Sequence, residues 1–151
     1  MIQIKVTEHK KNKHVRLSLN NLKDKRMMVK LLKVIGEVIV GYIIKNKLSG
    51  QVLSRQTGKL AQSIAYMLIS NKLKIYTNMA YGAIHEYGGV IIPVNAKYLR
   101  FTIAGTVIFT KRVVIPKRPY MWTGIQESFS TGAVKTAVDI MMNKYLKESV
   151  K

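Results

Sequence analysis

The chain reads as an α+β fold: an antiparallel sheet with an N-terminal hairpin, one long central helix, and one long C-terminal helix packed on it. Three observations predict it. Apolar and polar residues alternate in paired short runs separated by turn residues, which is the pattern of hairpins. Apolar residues recur at three- and four-residue steps in two long stretches, which is the pattern of amphipathic helices. Most strand-like runs cluster between those helices instead of alternating with them, so parallel βαβ units are not expected. At 151 residues the chain is one domain's worth. Residues 1–19 form a basic hairpin ahead of a core over 20–147.

Ile2, Ile4 and Val6 alternate with polar residues, as do Val15, Leu17 and Leu19, with Glu8-His-Lys-Lys-Asn-Lys-His14 between them. This predicts a hairpin with a basic tip. Asn20 or Asn21 is placed to cap the next helix, with Asp24 near the positive end of its dipole. Met28, Leu31, Leu32, Ile35, Val38, Ile39, Tyr42 and Ile43 mark one face of that helix to about Leu48, and Ser49-Gly50 ends it. After a polar connector, Thr57-Gly58 opens a short helix to Ile64. Ile64 to Ser70 and Leu73 to Asn78 alternate around Asn71-Lys72 as a second hairpin. Tyr81 to Tyr87 forms a helical turn ended by Gly88-Gly89. Strands follow at 90–93, 98–103 and 107–115, the last two joined across Ala104-Gly105. Pro119 stands at the first position of a helix. From there Met121, Ile125, Phe129, Ala133, Ala137, Ile140 and Met141 give a continuous buried stripe to the C-terminal region.

Composition narrows the function classes. Hydrophobic content of 48% with 22% charged residues is that of a folded globular chain. There is no cysteine, so disulfides, thiolate metal sites and Cys nucleophiles are excluded. The start Met1-Ile-Gln-Ile-Lys-Val lacks the apolar stretch of a signal peptide. The most apolar run, Val34 to Ile44, is too short to cross a bilayer and contains Glu37. A soluble protein without a membrane partner is expected. The charge is unusual: 26 Lys and Arg against 7 Asp and Glu, a formal net of +19. Such a surplus repels itself and favours a polyanionic or acidic partner.

No arrangement of residues predicts catalysis or a cofactor. His85-Glu86 is the one His–carboxylate neighbour pair in a structured region, but a zinc-protease helix needs a second His one turn on, and position 89 is Gly. His85 is therefore expected to be structural. Paired carboxylates for acid–base or two-metal work need acids that converge, whereas these seven are scattered. Gln56-Thr-Gly-Lys59 lacks the glycine spacing and the following Ser or Thr of a phosphate loop. The basic residues are more suggestive. Ten Lys and Arg against two acids lie between Met1 and Lys33, and Lys111-Arg112 with Lys117-Arg118 forms a second cluster. Lys10, Lys11, Lys13, Lys111, Arg112 and Lys117 are the candidate contacts to an acidic partner or a polyanion. The bland alternative is a solvated, solubilising surface. Lysine outnumbers arginine and no aromatic residues interleave with the tip cluster, which argues against base-specific readout. A sequence-non-specific nucleic-acid-binding module remains the alternative function.

The most specific residues look like joints. Tyr81-Gly-Ala-Ile-His-Glu-Tyr-Gly-Gly89 and Ile115-Pro-Lys-Arg-Pro-Tyr120 both read as tight corners between strands and helices. Together with Thr57-Gly58-x-Leu60-x-x-Ser63-Ile64, Thr77-Asn78, Tyr98-Leu99-Arg100-Phe101 and Lys111-Arg112-Val113 they make an ordered set. That set resembles the phage virion-morphogenesis and tail-completion family, the kind typified by phage Mu. The family-motif residues are Thr57, Gly58, Leu60, Tyr81, His85, Glu86, Gly88, Gly89, Pro116, Arg118 and Pro119. The N-terminal hairpin lies outside the resemblance, and the segment before Thr57 is shorter than is common in the family.

The resemblance implies a non-enzymatic structural protein of a phage or prophage, without cofactor. It would complete the tail or join it to the head as an oligomeric ring, often a hexamer. The implied partners are further copies of itself, neck, connector or tail-tube proteins, and, through non-specific contact, packaged DNA. The implied location is the virion, at the head–tail junction or tail end, after assembly in the host cytoplasm.

Overall fold

The computed structural model describes residues 3–9, 14–20, 25–53 and 57–149, with side chains over 25–53 and 57–147. The fold is α+β, and its centre is helix α1, Lys25–Asn46. The three- and four-residue spacing places Met27, Met28, Leu31, Leu32, Ile35, Ile39 and Ile43 on one buried side. Each fully buried aliphatic side chain of this size contributes about 1.5–3 kcal/mol. The helix therefore gains far more from packing than its glycines cost in propensity. It packs on strands β3, Ile64–Ile69, and β4, Lys72–Thr77, and on two C-terminal helices, α4, Met121–Ser130, and α5, Ala133–Ser149.

The main sheet has four antiparallel strands, with β1 (Gln3–His9) at one edge, then β2 (His14–Asn20), β4 and β3. Strands β1, Gln3–His9, and β2, His14–Asn20, pair as the expected hairpin. Its tip, with Lys10, Lys11 and Lys13, lies outside the described residues, as do the capping candidate Asn21 and the acid Asp24 expected in the first helical turn. Strand β2 joins β4, Lys72–Thr77, which pairs in turn with β3, Ile64–Ile69. Leu73 and Ile75 of β4 are fully buried, as period-two alternation requires. The turn between β3 and β4 is Ser70-Asn71, one residue earlier than the alternation predicts. Both residues have positive φ (47° and 62°), the type I′ geometry that matches strand twist.

Between β4 and the C-terminal helices lies a second region. Helix α2, Lys59–Ser63, precedes β3, and helix α3, Ala80–Tyr87, follows β4. Two small antiparallel sheets come next. One pairs β5, Gly89–Ile91, with β8, Val113–Ile115; the other pairs β6, Leu99–Ile103, with β7, Thr106–Thr110. The run 107–115, expected as one strand, is thus broken at Lys111-Arg112. There Thr110 Oγ1 donates to the Arg112 carbonyl and accepts from its N–H, and this local side-chain pairing competes with the ladder.

The C-terminal helical stretch is also divided. Helix α4, Met121–Ser130, and helix α5, Ala133–Ser149, meet at Thr131-Gly132, where Gly132 takes φ 77°. A left-handed glycine ends a helix at no steric cost, so the apolar stripe restarts on a new axis. Val134 is buried, Val138, Met141, Met142 and Tyr145 pack against the core, and Ile140 is 65% exposed.

Candidate functional site: two interlocked corners

The two segments that read as joints are joined to each other. Strand β5 leaves α3 at Gly88 and pairs with β8, setting Gly89 opposite Ile115. Two residues past β8, the backbone passes so close that a Cβ on Gly88 would lie 2.9 Å from the Lys117 nitrogen and 3.2 Å from the Ile115 oxygen. Gly88 itself takes φ 72°, ψ 173°, a combination open essentially to glycine alone. Gly89 needs no such conformation, since no positive φ occurs there. The Arg118 N–H then donates to the His85 carbonyl at 2.8 Å, closing the contact from the helix side.

Glu86 completes the junction. Its side chain is buried, at 5% exposure. One carboxylate oxygen accepts the N–H groups of Tyr120 (2.9 Å) and Met121 (2.8 Å), and the other accepts that of Trp122 (2.9 Å). Those are donors of the first turn of α4, which lack partners inside any helix. A carboxylate there also meets the positive end of the helix dipole. Helix α4 has no acidic residue in its own first turn and no side-chain cap at Tyr120; its cap comes from 34 residues upstream. Pro119, expected at the first helical position, stands just before the cap residue Tyr120 instead.

Tyr120 is fully buried, and its hydroxyl donates to the Gly82 carbonyl at 3.3 Å. Burial, followed by the charge of Glu86, pushes its phenol well above the ordinary range. Gly82 leaves room for this ring: a Cβ there would lie 2.7 Å from Thr77 Cγ2 and 2.9 Å from the Tyr120 hydroxyl. Thr77 in turn shares a 2.6 Å hydrogen bond with Ser63 and accepts the Met79 N–H at 3.1 Å. The end of α2 is thereby tied to the start of α3. Leu60 reaches the same point, its Cδ1 lying 3.4 Å from where a Cβ on Gly82 would stand.

His85 is half-buried, its ring edge-on to Tyr81 at 6.2 Å between centroids. Its Nδ1 has no hydrogen-bond partner among the described residues. Burial, and then the positive charge of Arg118, lower its pKa below the ordinary histidine value. A cavity of about 10 Å³ lies against Glu86, Thr77 and Tyr120, which is room for one water molecule at most. Among the described residues no three His, Asp or Glu side chains converge as a metal site.

Six of the sequence-predicted motif residues — His85, Glu86, Gly88, Gly89, Pro116 and Arg118 — are thus brought together, with Pro119 and Leu60 at the margin and Tyr81 on the His85 ring. Thr57 and Gly58 are not: they stand at the start of α2. There the cap position belongs to Gly58, with φ 73°, and Thr57 only accepts the Lys59 N–H at 3.4 Å. Lys111, Arg112 and Lys117 are exposed beside β8. A second tie escaped the sequence reading: Lys47, 8% exposed, pairs with Glu127 at 2.5 Å and joins α1 to α4. Nothing local signals a pair eighty residues apart. Only the scarcity of acids, seven in the sequence, hints at it.

The model of the phage virion morphogenesis family matches residues 43–145, more than half of the chain. The chain belongs to this family. A role in phage virion structure or assembly follows, and with it association with the virion. The match takes in both corners and all of α4, and begins near the end of α1, leaving the N-terminal hairpin outside it. Searches of curated proteins and of solved structures found no match. No described helix is long and apolar enough to cross a membrane.

Proposed function

We propose that this virion morphogenesis protein is a non-enzymatic structural component that completes the tail, or joins it to the head, as an oligomeric ring. The interlocked corners support this reading most directly. The His85–Glu86 pair is used for architecture: Glu86 caps α4, and the His85 backbone holds Arg118. The Glu86 carboxylate and the Tyr120 hydroxyl are directed at backbone, and the cavity beside them is too small for a substrate. The outer strands of three separate sheets supply edges through which head-to-tail copies can close a ring. Its neighbours would be neck, connector or tail-tube proteins.

Two measurements test the proposal. Purified chain, alone or with isolated tails, should elute far above its 17.1 kDa. Heads and tails made without the chain should join on its addition. A persistent monomer with no effect on joining would defeat the reading.

One observation favours a second reading, contact with packaged DNA. Lys30, Lys33 and Lys144 converge with Tyr145 and Met141 on an open groove of about 330 Å³ between α1 and α5. Phosphate contact there predicts salt-sensitive, sequence-independent binding to duplex DNA. The Lys10, Lys11 and Lys13 tip joins this test: a triple Glu variant with an unchanged melt should join heads and tails poorly.

A further inference from the structure

We infer that the β6–β7 hairpin is a docking arm whose uncharged tip enters an apolar groove on a second, acidic protein, while a basic collar at its base meets carboxylates on the rim. The inference rests on the assembly reading above.

The arm is short of cover. Register pairs Arg100 with Phe109 and Thr102 with Val107 on one face, and all four are exposed. Phe101 and Ile108 on the other face are only half-buried. A two-stranded ribbon with this little packing is marginal in water by itself. Single exposed apolar residues need no explanation, but here they are concentrated. Among the described residues eight large apolar side chains are more than half exposed, and six lie between positions 90 and 114. Val94 is 90% exposed, Phe109 62% and Ile103 57%. On the hairpin itself Ile103, Val107 and Phe109 are all exposed, and exposed apolar side chains grouped in this way mark an interaction site.

Charge selects the occupant. From Phe101 to Thr110 the sequence has no charged residue, while Lys97, Arg100, Lys111 and Arg112 flank it. No Asp or Glu occurs anywhere from 87 to 126. An apolar centre with a charged margin is the layout of a protein–protein contact, and the margin steers a partner of opposite sign.

A second copy of this chain is a poor source of acids: it has seven against 26 Lys and Arg, and the exposed Asp139 shares α5 with three lysines. Glu86 is buried in the corner, Glu127 pairs with Lys47, Glu37 accepts from Tyr66, and no three acidic or histidine side chains converge among the described residues. Duplex DNA fits the layout poorly as well. A groove-inserting wedge brings cations with it, whereas Arg100 lies four residues back from the Ala104 turn, roughly 13 Å along an extended strand.

The probes are purified heads and purified tails of the encoding phage or prophage, assembled without this chain and treated with nuclease. Binding is read by co-sedimentation. Val107→Ser with Phe109→Ser should weaken binding to one of the two particles by about tenfold or more, with the thermal melt unchanged because both side chains are exposed. Lys111→Glu with Arg112→Glu should do the same, the loss being largest at low salt. A photoreactive phenylalanine analogue at position 109 should cross-link to an acidic stretch of the particle protein. Wild-type affinity in both variants overturns the inference, as does a cross-link to another copy of this chain. Competition by a duplex of about 30 base pairs, with no protein cross-link, transfers the arm to DNA and also overturns it. Wild-type chain that binds neither particle refutes the assembly reading itself, and this inference with it.

Discussion

The corner at Glu86 and the arm at Phe109 are only about twenty residues apart in sequence, yet they handle chemistry in opposite ways. In the corner a buried carboxylate accepts three N–H groups and a glycine stands where no Cβ fits. In the arm, apolar side chains face outward and an entire ten-residue tip is uncharged. The corner spends its specific residues on holding two segments at a fixed angle. The arm contributes little to that and exposes what a folded monomer normally hides. Unusual residues in a small protein therefore divide into those the fold requires and those it merely carries. Mutation separates the two.

The largest effect should come from Glu86→Ala. It strands three donors at the start of α4 in a buried site, which costs about 3–5 kcal/mol. Chemical denaturation would read this, with a melting temperature lower by roughly 10 °C. Glu86→Gln keeps acceptor capacity on one oxygen and should lose about half as much. An Ala variant as stable as wild type would mean that α4 needs no cap from α3.

Next, Gly88→Val should cost about 2–3 kcal/mol, from a forbidden backbone conformation together with contact against Lys117. Gly89→Ala, with an ordinary φ and only Ile84 side-chain atoms at 3.2 Å, should cost less than about 1 kcal/mol. Equal losses at the two glycines would remove the backbone from the explanation.

A smaller effect concerns His85. Its folded pKa lies below the ordinary value, through burial and then Arg118, so the unfolded chain binds the proton more tightly. The stability this provides is complete above about pH 6.5 and falls as pH drops from there toward the folded pKa. Denaturation at about pH 7.5 and 5.5 should show a smaller acid loss in His85→Gln than in wild type. The same loss in both would assign the pH dependence elsewhere.

The smallest effect belongs to the arm. Phe109→Ser should change stability by less than about 0.5 kcal/mol. A loss above about 1 kcal/mol would show that the hairpin is packed and would erase the contrast with the corner.

The α1 face, the β3–β4 hairpin and the Gly88 corner were legible in the sequence, because each is written in local periodicity or in one residue's conformational range. Two breaks were hidden. The stripe from Met121 to Met141 passes through Gly132 with its four-residue spacing intact, so periodicity alone cannot see the helix end. The break at Lys111-Arg112 depends on one threonine hydroxyl that bonds both ways to a neighbour. Glu86 is the most instructive miss. Its residue type was visible, but its partner was not. One signal was available: Pro119-Tyr-Met-Trp122 opens a helix with no capping side chain of its own, so its free N–H groups call for an acceptor from elsewhere.

The pairing of β5 with β8 has a consequence for how this chain can vary. Gly89 and Ile115 are neighbours in space, and everything between Ile91 and Val113 leaves and returns through the same two-strand gate. The closure cost of such a detour grows only with the logarithm of its length, by about 0.6 kcal/mol for each doubling. The segment behaves as a cartridge in a fixed socket. Changes to its length or its tip should therefore leave the helices beneath to fold as before.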